Sequence, residues 1–401
     1  MDWEDSADQA AFRQDVRSFI QQRLPEFYRK PKEDDDPETD WQHDMFLGTD
    51  EAKAAARAWI DALAERGWSA PHWPKEYGGG GLSTIEQFIF KQELALAHAP
   101  EVGGVNGVGQ FGPTLLVHGT EEQKQRFLPP TLSGEYLWAQ GYSEPGAGSD
   151  LASLQTRAVR EGDEWVVNGQ KLWTSNAHKS NWIFMLVRTD PDAPKHRGIS
   201  FLFTSMEVPG LTVRPIISAG WRHATNETFY EDVRIPADQV VGEVNRGWYV
   251  GMTLLDFERA GIAGATEQRR TVGELAQRAQ SDPLTRRALV RNDITDRVIE
   301  TEVGYNLSLR IASMQARGLI PNYEASMGKM YSSELSQRIA RTGMKTYGLY
   351  ANIWAPDDAY TPLRARHTRA YIRTIPSTIA GGSSEIQRNI IATRGLGLPR
   401  G

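Results

Sequence analysis

The chain has 401 residues, 40% of them hydrophobic, with a formal net charge of -6. That is enough for a large core or for several subdomains sharing one, and no field of basic residues points to nucleic acid or to an anionic membrane. Cysteine is absent, which excludes disulfides, cysteine nucleophiles and thiolate metal sites.

In chain order, the N-terminal MDWEDSADQA is acidic and lacks an apolar h-region, so no secretory signal is expected and a cytoplasmic location is. Residues 30–40, KPKEDDDPETD, mix charges with two prolines and read as a solvated loop. In DEAKAAARAWIDALAERGW, Ala55, Trp59, Ile60 and Leu63 fall on one helical face, and Gly67 ends the pattern. APHWPKEYGGGGLS is a Pro- and Gly-rich loop. A second helix starts from an N-cap at Ser83. A third starts from Thr120, with Gln123 at the capping-box position and Pro129-Pro130 as a stop.

Near residue 138 the pattern changes. TRAVREGDEWVVNGQKLWTSNA holds two strand-like runs split by Gly162-Asp163, with a further turn expected at Asn168-Gly169. NWIFMLVRTD, GISFLFTSM, GLTVRPI and ETFYEDVRIP follow at short spacing, a β domain of barrel or sandwich type. From about residue 246 the chain reads helical again. One long element is expected over residues 246–280. A second has Asp282 as cap, Pro283 at the first helical position and Gly318 as stop, and a third begins near Tyr323. No apolar run approaches the roughly 18 residues of a membrane span. The order predicts a mainly α protein with a central β domain: helices over 1–137, β structure over 138–243 and a helical bundle over 244–401.

Residues 138–158, WAQGYSEPGAGSDLASLQTRA, bring flexible backbone together, and glycine lets N–H groups approach an anion or a ring carbonyl. No Walker A lysine and no strand-GxGxxG-helix unit accompanies them, so a P-loop or Rossmann site is excluded. GGVNGVGQFG is a loose glycine cluster. The eight histidines show no ligand spacing, so no metal is expected.

YSEPGAGSDL resembles the first signature of the acyl-CoA dehydrogenase family, VNGQKLWTSNA and FYEDVRIP its next two landmarks, and GGSSEIQRNIIATRGLGLPR its last; HGTEEQKQRFLP matches as well. These occur in the family's order across nearly the whole chain. The resemblance implies an N-terminal helical domain, a central β domain and a C-terminal four-helix bundle, with FAD bound between the last two. It implies flavin contacts from Gln140, Tyr142 and Ser143. Gly148 and Ser149 fall at the pyrophosphate or the substrate's pantetheine arm. Trp173 stacks on the isoalloxazine, Ser175 lies at flavin N5, and Ser383 and Glu385 belong to the flavin segment of the tail.

The chemistry so implied removes the α-proton of an acyl-CoA thioester while the β-carbon gives hydride to the flavin, and the carbonyl oxygen must meet hydrogen-bond donors. One donor is the backbone N–H of Gly381. The base is a carboxylate raised above its reference of about 4.3 by burial. Ala380-Gly381-Gly382-Ser383 stands where the family usually has Tyr-Glu-Gly-Thr, so no carboxylate acts there. Isovaleryl- and long-chain-type members carry theirs on the first bundle helix, and LLDFERAGIAGA matches that arrangement. Glu258 is therefore the expected base, with Arg259 beside it at the substrate. Its apolar surroundings in sequence favour catalysis over a solvated Glu-Arg pair.

Two segments depart from the family pattern. LAQRAQSDPLTRR replaces the arginine-bearing Arg-x-x-Phe-Gly, and KTYGLYANIW has Lys345 where a glutamine holds the adenylate of a neighbouring subunit. This leaves open a heterotetramer with a second dehydrogenase chain or a homotetramer. The expected product is a trans-2-enoyl-CoA, with electrons passed to an electron-transfer flavoprotein or similar acceptor. The alternatives are a flavin-dependent monooxygenase on the same fold and a non-catalytic subunit of a heteromeric dehydrogenase.

Overall fold

The fold is given by a computed structural model, which describes residues 4–29, 40–257, 262–281 and 288–399. Glu258, Arg259, the Asp282-Pro283 helix start and most of the 30–40 charge run lie outside the described residues. The chain forms two compact units: Met1–Asp36, Ser83–Ala99 and Arg259–Gly401 in one, Pro37–Leu82 and Pro100–Glu258 in the other.

The second unit is built on a seven-stranded mixed sheet. Its strands are β1 (Trp138–Gly141), β2 (Arg157–Glu161), β3 (Glu164–Ser175), β4 (Trp182–Arg188), β5 (Ile199–Ser205), β6 (Leu211–Ser218) and β7 (Arg222–Pro236), in the order β1-β4-β2-β3-β7-β6 with β5 on β4. β1 runs parallel to β4, with Trp138 opposite Trp182, whereas β7 pairs antiparallel with both β3 and β6. β4 is the keel. Its IFMLV run is wholly buried, because side chains alternate between two covered faces. Phe184 and Leu186 join Phe201, Phe203, Trp138 and Phe111 in one core cluster; Ile183, Met185 and Val187 join Leu202, Val167 and Tyr230 in the other. Fully burying one such side chain contributes about 1.5–3 kcal/mol, which fixes the register of β4.

Helices α3 (Trp41–Phe46), α4 (Asp50–Ala64), α6 (Gly112–His118), α7 (Glu121–Leu132) and α8 (Gly247–Phe257) belong to the same unit. α4 buries Ala55, Trp59, Ile60 and Leu63, the face read from the sequence. α7 starts at the expected Thr120–Gln123 capping box but does not stop at Pro129-Pro130; it runs to Leu132. Each proline removes an N–H donor, yet Thr131 Oγ1 donates to Phe127 O at 2.7 Å and Ser133 N to Pro129 O at 3.0 Å. With Phe127 and Leu128 in the core, the last turn stays helical.

Two loop expectations change. Asn168-Gly169 is no turn; β3 passes through it with a bulge against β7. Gly169 takes φ +147°, and a Cβ there would lie 2.8 Å from Thr156 Cα, so the residue serves close backbone approach. The cluster at 103–112 contains a π-helical turn, Gly104–Phe111, leading into α6. Its Phe111 stacks on Trp138 with centroids 3.6 Å apart.

The first unit is helical: α1 (Ala7–Arg23), α2 (Glu26–Arg29), α5 (Thr84–Leu96), α9 (Ile262–Ser281), α10 (Ala288–Ala316), α11 (Tyr323–Tyr347), α12 (Arg366–Arg373) and α13 (Ser384–Ile390). α5 has the expected Ser83 cap, closed into a box by Glu86. Arg13 and Arg17 of α1 both reach Glu93 of α5. α9, α10 and α11 pack through Leu275 and Ala279 on Val290 and Ile294, and through Val272 on Leu335 and Ile339. Gly318, at φ +71°, ends α10 as expected, with Leu319 N bonded to Met314 O. Among the described residues no helix is long and apolar enough to cross a membrane.

Candidate active site

In the sheet unit, the segment after β1 is laid along β3. Leu172 N donates to Ser143 O at 2.8 Å, and Lys171 Nζ donates to Tyr142 O at 3.2 Å. Tyr142 is buried, with its ring edge-on to Phe184. Gln140, opposite Phe184 on β4, donates through Nε2 to Gln110 Oε1 at 3.0 Å. The π-turn therefore supplies a residue, Gln110, that the glycine-rich sequence around it concealed.

Glu144 anchors the loop that follows. Its carboxylate accepts from Gln155 N at 2.7 Å, Thr156 N at 2.9 Å and Lys171 Nζ at 2.7 Å. Burial raises the Glu144 pKa, but the Lys171 charge and these hydrogen bonds outweigh it and hold the carboxyl below its usual value. Burial pushes the wholly enclosed Lys171 ammonium down to about 8, against the pull of Glu144. Both directions leave an ion pair at neutral pH. Gly148 and Ser149 lie exposed on this loop, and nothing stands within 4 Å of a Cβ built on Gly148. Below the loop a cleft of about 540 Å³ is lined by Glu144, Pro145, Gly146, Gln155, Thr156 and Gly169.

Trp173 is the unusual residue. It sits in the second bulge of β3 at φ +61°, and its indole is 58% exposed. A left-handed backbone at a non-glycine residue costs roughly 1–2 kcal/mol, and an exposed indole returns little of that by burial. Its neighbours hold it there. Leu172 is tied to Ser143 as above, and the carbonyl of buried Thr174 accepts from Asn226 Nδ2 at 3.0 Å. Ser175 is exposed, paired with Thr225 of β7. Asn226 also bonds His223 Nε2 at 2.6 Å and His178 Nδ1 at 3.1 Å, and the two imidazoles stack. Burial first, then the neighbouring His223 and Lys179, bring His178 down to about 4, so it is neutral at physiological pH and accepts from Asn226.

The helical unit holds the tail residues. Gly381 (φ +64°) and Gly382 (φ +85°) form a turn ahead of α13. Ser383 caps that helix, with Ile386 N donating to its Oγ at 3.3 Å. Glu385 is exposed, and its own backbone N–H, then Ser383, hold its carboxyl below the usual value. Lys329 of α11 donates to Gly382 O at 2.6 Å and to Ser377 O at 3.1 Å. Burial lowers its pKa. Lys345 pairs with Asp293 at 2.6 Å.

The two halves are thus brought together separately: Gln140, Tyr142, Ser143, Trp173 and Ser175 around β1 and β3, and Gly381, Ser383 and Glu385 around α13. Glu144 and Lys171 lie inside the signature segments, 27 residues apart, and only the fold shows them as a buried pair. In the sheet unit, the strained, outward indole of Trp173 fits a planar aromatic cofactor. In the helical unit, the hydroxyl of Ser384 is buried and has no hydrogen-bond partner among the described residues, which fits a polar group of a ligand.

Family profiles described as acyl-CoA dehydrogenase N-terminal, middle and C-terminal domains match residues 6–135, 139–233 and 245–396. The chain is 40% identical over 358 residues to the Mycobacterium tuberculosis acyl-CoA dehydrogenase IpdE1, covering 87% of this chain and 90% of that protein. Among solved structures, the Tcur3481-Tcur3483 steroid ACAD superposes with a TM-score of 0.86 at 34% identity, with all of both chains covered. The ChsE4-ChsE5 complex from Mycobacterium tuberculosis superposes with a TM-score of 0.81 at 33% identity, again with both chains fully covered. The chain belongs to the acyl-CoA dehydrogenase family. It is an oxidoreductase acting on CH–CH bonds, and the family to which it belongs is FAD-dependent.

Proposed function

We propose that this chain oxidises an acyl-CoA thioester to its trans-2-enoyl-CoA, with Glu258 as the base, across domains bounded at 1–137, 138–243 and 244–401. The observation that carries this reading is Trp173: a bulky indole held outward in left-handed backbone beside Ser143, on the strand where the family profile matches. Backbone strain of this kind persists at functional sites because the surroundings over-determine it. Gln140, Tyr142, Ser143, Gly148, Ser149, Trp173, Ser175, Ser383 and Glu385 would hold FAD, with Ser149, Arg259 and Gly381 toward the substrate. When bound, FAD accepts the hydride leaving the β-carbon. Glu258 takes the α-proton, the Cα–Cβ double bond forms, and the Gly381 N–H donates to the thioester oxygen as charge gathers there.

Electrons would leave to an electron-transfer flavoprotein or similar acceptor. The likeness to a steroid dehydrogenase and to a two-chain complex supports a bulky acyl group and a second dehydrogenase chain as partner; the assembly would be a heterotetramer working in the cytoplasm. The test is anaerobic mixing of the FAD-loaded protein with acyl-CoA. The flavin absorbance should bleach, and Glu258→Gln should keep the flavin and abolish bleaching. Bleaching at an unchanged rate in that variant removes Glu258 from the mechanism. Reduction by a flavin reductase alone, never by acyl-CoA, would replace the whole reading with a monooxygenase.

A further inference from the structure

The turn that lacks the family's glutamate is held from two sides. From α11, Lys329 Nζ donates to Gly382 O and Ser377 O, and Gln337 Nε2 donates to Thr378 Oγ1 at 3.1 Å. From α13, Gln387 Nε2 donates to Gly381 O at 3.3 Å and to Gly382 O at 3.2 Å. Both glycine carbonyls are thereby engaged, while the N–H groups of Gly381 and Gly382 make no hydrogen bond among the described residues. Left-handed φ at both positions sets this division. A Cβ at position 381 would stand 4.0 Å from Lys329 Cε, so a side chain there would start beside the lysine stem. Among the described residues, the charges nearby are Glu385, whose exposed carboxylate acts on Lys329 from solvent, and Arg388, which is bound to Glu334 at 2.6 Å.

We propose that Lys329 is a positioning residue for the thioester: it holds the Gly381–Gly382 backbone with its free N–H groups available to the carbonyl oxygen, and it keeps beside them a positive charge that no carboxylate at 381 cancels. This rests on the acyl-CoA dehydrogenase reading above. Moving the base off this turn then has a consequence. The charge that builds on the thioester oxygen as the α-proton leaves meets a cation through one layer of backbone, in a site where preorganised charge acts strongly.

The experiment uses the full-length protein loaded with FAD, with acetoacetyl-CoA as the probe, because its enolate gives a long-wavelength charge-transfer band with oxidised flavin. The pH midpoint of that band reads the α-proton acidity without turnover. Lys329→Met and Lys329→Gln should each raise the midpoint by about one unit or more, a tenfold loss of acidity, and Lys329→Arg should restore most of it. In the flavin-free protein, hydrogen exchange over residues 376–383 should quicken at least about tenfold in Lys329→Met. An unchanged midpoint in variants that retain FAD overturns the electrostatic role, and unchanged exchange overturns the positioning role. Wild-type protein that takes up FAD yet gives no band contradicts the dehydrogenase reading, and the proposal falls with it.

Discussion

Replacing Glu144 by Gln tests how the loop after β1 is held. Lys171 is wholly enclosed, and with the carboxylate gone its ammonium loses its counter-charge and keeps only neutral acceptors, the new amide oxygen and Tyr142 O at 3.2 Å. The new amide must also place an NH₂ group near one of two backbone donors, Gln155 N or Thr156 N. Breaking a buried pair from one side costs about 3–5 kcal/mol, and the figure for Glu144→Gln should be about 4 kcal/mol. Lys171→Met is gentler. The carboxylate retains both backbone N–H groups, at 2.7 and 2.9 Å, and methionine fills most of the lysine's volume, so about 2 kcal/mol is expected. The double variant should lie about 2 kcal/mol closer to wild type than the sum of the singles. Urea unfolding of flavin-free protein at neutral pH, followed by fluorescence of the buried Trp138 and Trp165, measures all three. Costs below about 0.5 kcal/mol, as for ordinary surface changes, or the reverse order of the singles, would refute the reasoning.

Trp173→Gly relieves the left-handed strain and gives up an indole that is mostly exposed, so flavin-free stability should change by no more than about 1 kcal/mol. FAD retention, read by the absorbance of the purified protein, should fall sharply. A folded-state value of about 4 for His178 against 6.5 in an unfolded chain means that the unfolded chain binds the extra proton first as pH falls. Stability contributed by the neutral imidazole is complete above pH 6.5 and declines toward pH 4. Thermal melts of wild type should drop more steeply than those of His178→Gln across that window, and parallel curves would remove the Asn226–His178 bond from the account.

Much of this protein is legible from local pattern. The caps at Ser83 and Thr120, the apolar face of α4 and the stop at Gly318 depend on residues within a turn or two of one another, so sequence alone determines them. The strands β2 to β7 show as short strand-like runs set between turn residues, and the site segments through their motifs. Partners distant in the chain decide the rest. Helix α7 keeps its prolines because Phe127 and Leu128 have a core to fill. Asn168-Gly169 has turn chemistry, yet it becomes a bulge because Thr156 lies against it and β7 continues past it. β1 pairs with β4 across 44 residues, which no local signal predicts. Lys171, Glu144 and Lys329 look like solvated charges until the fold encloses or clamps them. Burial is a property of what packs on a residue, and that is written only in three dimensions.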